Sequence, residues 1–150
     1  MEHYKAYDFL QQKEVVLTFD DGPQKFSTEA VLAALNGVLG DRLQLTGNPL
    51  AQPMVLRQGG QTLALNPPSE LAAQLGNKAN PHLVLLVHGL CMNDAQWRRS
   101  GHDHGGFLVQ SLGCTTVYLR YNTGQHTSTN GRELAQLLRQ RLGGEGRAPF

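Results

Sequence analysis

Seven residues, Leu83 to Gly89, constrain the fold of this chain more than any other stretch: LVLLVHG is a five-residue apolar run cut off by His-Gly. A continuous Leu/Val run suits a strand of a parallel sheet covered on both faces, and Gly89 lets the backbone turn sharply or approach a ligand where a side chain would block it. A run this short is also compatible with a buried helical turn, so the flanks decide. Pro81 closes a polar loop before it, and a helical segment from His102 to Leu112, a Gly113 stop and a β-rich run from Thr115 to Tyr121 follow it. Strand, helix, strand predicts a parallel crossover. Ligands of such sheets bind at the carboxyl ends of the strands, where His88-Gly89 and Tyr121-Asn122 fall.

Upstream, Met54 to Arg57 and Thr62 to Leu65 flank Gln58-Gly59-Gly60-Gln61, a glycine-centred turn that predicts an antiparallel hairpin. Two helices frame these strands. Ser27 or Thr28 is the expected N-cap of the first, with Val31, Leu32, Leu35, Val38 and Leu39 as its apolar stripe and Gly40 as its end. Asn130 is the expected cap of the second, whose Leu134, Leu137, Leu138 and Leu142 bury one face before Gly143. The fold class is α/β with a small mixed sheet.

Hairpin, buried strand ending in HG, helix, strand, helix: from about Ser27 to Leu142 these residues resemble the N-terminal half of an α/β-hydrolase of the lipase and esterase type. The most specific pieces are ALNGVLGD at Ala34 to Asp41, TGNPLAQPM at Thr46 to Met54, LLVHGLCMNDAQW at Leu85 to Trp97, GHDHGG at Gly101 to Gly106, YLRYNTGQH at Tyr118 to His126 and NGRELAQLL at Asn130 to Leu138. The resemblance implies carboxylic-ester hydrolysis on a small ester or acyl substrate without a cofactor. The turn after His88-Gly89 would lend a backbone N–H to an oxyanion hole, with Leu90 the expected donor and Cys91 next. It also implies the strand order one, two, four, three, five, with Leu83 to Val87 between the Thr115 to Tyr121 strand and a later one.

That chemistry needs a serine on a G-x-S-x-G elbow, followed by an acid and a histidine. The five serines are Ser27, Ser69, Ser100, Ser111 and Ser128, and none has glycine on both sides at two residues' distance. The expectation is a truncated hydrolase-like domain, inactive as a serine esterase on its own. Its Leu83 to Val87 strand would present a free edge to a second copy or to Val15 to Phe19. A non-catalytic, self-associating module is therefore the reading from outside the enzyme class.

A second resemblance lies near the start. Lys13 to Pro23, KEVVLTFDDGP, resembles the first motif of the NodB-type polysaccharide deacetylases, in which Asp20 would match the general base and Asp21 a ligand of a divalent metal such as zinc. The metal would polarise the amide carbonyl while a carboxylate takes a proton. That family also uses H-[ST]-x-x-x-H, and here His126-Thr127 meets Gly131 where the second histidine belongs. A strand-end turn is the ordinary reading of Asp20 to Pro23, but the match is too specific for coincidence, although the ligand set is incomplete. Two motif sets place a junction between Pro23 and Thr28, giving a deacetylase-like segment at 1–26, a partial hydrolase domain at 27–142 and a flexible tail at 143–150.

A net charge of +1 with scattered Lys and Arg offers no basic face for nucleic acid. No apolar run is long enough to span a bilayer and Met1 to Leu10 lacks a signal-peptide core, so cytoplasmic location is the default expectation. Cys91 and Cys114 read as reduced thiols. Within His102-Asp103-His104, Asp103 suits a helix start, and histidines two apart diverge on a helix, which argues against a metal site. Trp97 reads as a packing anchor.

Overall fold

The computed structural model describes residues 28–75, 82–99 and 101–142. The expected junction at 23–28, the Val15 to Phe19 strand, the Gly143 stop and the 143–150 tail lie outside them, wholly or in part.

The first helix, α1 (Thr28–Leu45), runs through Gly40 rather than ending there. Its stop is Gly47, at φ +62°, where Asn48 N–H donates to the Leu43 carbonyl at 2.9 Å and Gly47 N–H to that of Gln44 at 3.1 Å, the paired bonds of a glycine-terminated helix end. The expected stripe is also displaced: Val31 and Val38 are 45% and 50% exposed, while Ala33, Ala34, Asn36, Gly40 and Leu43 are buried. Small side chains win because they let the helix backbone approach its neighbours closely.

β1 (Val55–Gln58) and β2 (Gln61–Thr62) form the expected antiparallel hairpin. Gly59 and Gly60 both adopt positive φ, the conformation the tight two-residue turn demands. α2 (Pro68–Leu75) follows, supplying the buried Leu71. β3 (Leu83–Val87) comes next, then a 3-10 turn at Asp94–Trp97 and a small ribbon of β4 (Arg98–Arg99) with β5 (His102–Asp103). α3 (His104–Leu112) starts only after that ribbon, capped by the Asp103 carboxylate on Gly106 N–H and ended by Gly113 at φ +61°. β6 (Thr115–Arg120) and α4 (Thr127–Leu142) complete the order. α4 begins ahead of the expected Asn130 cap, whose amide instead donates back to the Asn122 carbonyl at 2.9 Å.

The sheet order is β2-β1-β6-β3, with β3 and β6 parallel and β1 antiparallel to β6. The crossover through α3 is as expected. The hairpin, however, is inverted relative to the order one, two, four, three: its first strand lies inside and its second outside. Leu56, opposite Leu119, is 2% exposed, whereas Gln61 and Thr62 are both exposed, so the apolar strand takes the covered seat. At the other end, β3 is the last strand among the described residues. Its run is therefore not uniformly buried: Leu86 is covered, but Leu83 and Val87 are 41% and 44% exposed.

Alternation along β6 sorts the layers. Val117 and Leu119 enter a core with Leu56, Leu63 and Leu71, against which Leu134 and Leu137 of α4 pack. Tyr118 and Arg120 point the other way, to Asp103 and to Glu29 of α1. Both faces of the central strand are covered, and the carboxyl ends of β3 and β6 open side by side.

Candidate functional site

β3 delivers His88, which is 4% exposed. Its ring stacks on that of Tyr121 with centroids 4.6 Å apart, and its Nδ1 lies 3.1 Å from the Gly89 carbonyl oxygen, an acceptor that selects the Nδ1-protonated ring. Burial pushes its pKa below the ordinary value, outweighing the pull of the Gly89 carbonyl and Asp94. His88 is thus a neutral wedge behind the turn. The next bend is closed by Met92 N–H on the Gly89 carbonyl at 3.3 Å, with Cys91 at φ +58°, a left-handed conformation costly for a non-glycine residue.

The two expected oxyanion donors part company here. Cys91 N–H donates to the Thr123 hydroxyl at 3.2 Å, whereas Leu90 N–H makes no hydrogen bond among the described residues and the residue is 67% exposed. A sequence reading could not separate them, because the hydroxyl that occupies Cys91 comes from the far strand.

Helix α1 seats this turn. A Cβ on Gly37 would overlap Cys91, and one on Gly40 would overlap the Asn122 amide. That amide donates to the Gly40 carbonyl at 2.8 Å and accepts from Gly124 N–H at 3.1 Å, tying helix to strand end. Beyond the turn, Asn93 caps the 3-10 segment and donates to the Glu29 carbonyl at 3.1 Å. The buried Asp94 carboxylate is flanked by Arg57, at 3.1 Å, and by Arg120, which also reaches Glu29 at 3.1 Å. Sequence reading missed this set, since no local pattern marks a buried carboxylate.

Between the turn and α4 lies an open cleft of about 440 Å³, within the size range of small-molecule sites. Val87, Leu90, Leu119, Tyr121, Gly131 and Leu134 give it mainly apolar walls, and a Cβ on Gly131 would meet open space. Among the described residues none with a charged side chain lines it. Chemically, it can take an apolar group beneath a free backbone donor.

Other expected residues lie elsewhere. Asp20 and Asp21 fall outside the described residues. His126 accepts at Nδ1 from the Ser128 hydroxyl at 2.8 Å, in line with Ser128 N–H at 3.4 Å, so this exposed pair caps the start of α4. His102 and His104 do meet, edge to face at 4.6 Å, because Asp103 is extended rather than helical; His104 also abuts Trp97. Among the described residues no three His, Cys, Asp or Glu side chains gather to hold a metal. Cys91 and Cys114 are free thiols, and no described helix is long and apolar enough to cross a membrane.

No family model, curated protein or solved structure matches the chain.

Proposed function

We propose that the cleft at the ends of β3 and β6 is the acyl-binding, oxyanion-side half of an α/β-hydrolase type of site, and that the 150-residue chain binds small esters or acyl compounds without turning them over. The observation that carries this reading is the Leu90 N–H, unpaired among the described residues, at the lip of an apolar cleft. An acyl carbonyl is the group such a donor serves. The inactivity follows from the serines: a hydroxyl without a positioned base is a poor nucleophile, and none of the five sits on an elbow motif.

The test is an amide-resolved NMR titration with 4-nitrophenyl butyrate, followed by a fluorophosphonate probe. Shifts at Leu90 and Gly131 with background hydrolysis and no labelling are expected. An undisturbed Leu90 amide, or labelling lost on mutation of one serine, overturns the proposal.

A second reading, self-association through β3, is favoured by where the apolar surface lies. Leu83, Val87, Leu90, Phe107 and Leu112, on β3, its turn and α3, are each at least 41% exposed. Residues 83–87 carry no charge to discourage edge pairing, and a two-fold about Leu85 would place Leu83 opposite Val87 of the second copy. Light scattering should then show a dimer that Val87→Lys returns to monomer; a monomeric parent protein excludes it.

A further inference from the structure

A second groove, of about 300 Å³, adjoins the apolar cleft and shares Met54 and Gln125 with it. Its chemistry is different. Gln44 of α1, Gln52 before β1, Gln125 after β6 and Gln136 of α4 all line it, and among the described residues Glu133 is the one ionisable side chain in the lining. Primary amides donate and accept at once, which matches hydroxyl groups, whereas a carboxylate with no cation among the described lining residues repels an anionic group. The Gln125 side-chain oxygen is buried and has no hydrogen-bond partner among the described residues. Gln52 is held in place by its own N–H, which donates to Asn36 at 2.8 Å.

We infer that this groove is a headgroup subsite and that the ligand is an amphiphile: an apolar tail in the cleft under Leu90 and Leu134, and a neutral, hydroxyl-rich head among the glutamines. The inference rests on the acyl-binding reading and adds the head to it. Met54 and Gln125 form the saddle between the halves. A bare alkyl compound leaves the amides empty, and a sulfate head meets Glu133.

Calorimetry on the full chain compares octyl glucoside, octanol and octyl sulfate, each below its micelle-forming concentration. The glucoside should bind about tenfold tighter than octanol, the ratio expected for two net hydrogen bonds, and octyl sulfate weaker than either. Gln44→Leu and Gln136→Leu, which line the groove and not the cleft, should each reduce glucoside affinity about threefold while leaving octanol unchanged. Gly131→Leu, which fills open space, should weaken all three ligands; circular dichroism confirms that each variant is folded. Octanol binding that responds to Gly131→Leu, with no glucoside preference, overturns the headgroup subsite and leaves the acyl cleft standing. Binding of every ligand indifferent to Gly131→Leu overturns both.

Discussion

The Tyr121 hydroxyl donates to the His88 carbonyl at 2.9 Å while the two rings stack, so the end of β6 fixes both the side chain and the backbone of the turn that follows β3. Tyr121→Phe keeps the stack and removes the bond. It should cost about 1 kcal/mol in urea unfolding, the net worth of one hydrogen bond, and should broaden the Leu90 amide resonance as the turn loosens. An unchanged unfolding midpoint and a sharp Leu90 signal would contradict it.

His88 makes stability depend on pH with a definite sign. Burial lowers its folded-state pKa below the unfolded value of about 6.5, so the unfolded chain binds the proton more readily. The contribution is therefore complete above about pH 6.5 and is lost as pH falls toward the folded pKa, with a slope of at most about 1.4 kcal/mol per unit. The other described histidines are exposed. Melting curves between about pH 7 and about pH 5 should show the decline, and His88→Phe should flatten it.

Two glycines on helices should respond oppositely to alanine. Gly131 faces open space, so Gly131→Ala should stabilise the fold by about 0.5–1 kcal/mol through helix propensity alone. Gly40→Ala drives a methyl group into an Asn122 amide bonded at both ends, and should cost about 1–3 kcal/mol despite the same propensity gain. Thermal melts of the two variants check the signs.

Asp94 is the counter-ion of two arginines whose side chains are only 13% and 14% exposed. Asp94→Ala should cost about 3 kcal/mol, because it leaves the covered Arg57 guanidinium without a carboxylate and Arg120 with the half-exposed Glu29 alone. Arg57→Met combined with Asp94→Leu should recover part of that loss, since an apolar pair needs no partner. Chemical denaturation of the single and double variants measures the difference.

What the sequence made legible follows from the range of the forces involved. The Gly59-Gly60 hairpin, the Asp103 cap, the Gly113 stop and the two parallel strands depend on residues within a few positions, and local rules identified them. The buried face of α1 did not obey its own periodicity, because Cys91, Asn122 and Gly124 decide which side approaches closely. Asn130 looked like a cap and became a tie to Asn122, for the same reason. No element was expected at α2 from the sequence, although a proline at its start and Leu71 and Leu75 one turn apart are local signs of a helix. At the site, the HG turn was visible, but the choice between Leu90 and Cys91 turned on Thr123, and the glutamine groove assembles from four separate segments.

The contact of α1 with the two strand-end turns makes residues 28–45 heritable only together with 91 and 122–124. A Cβ at Gly37 or Gly40 overlaps Cys91 or the Asn122 amide, and one at Gly124 overlaps the α1 backbone. A helix grafted from elsewhere would bring its own side chains into those spaces and displace the loops beneath it. Any lineage carrying this architecture should therefore vary positions 37, 40, 91, 122 and 124 in concert.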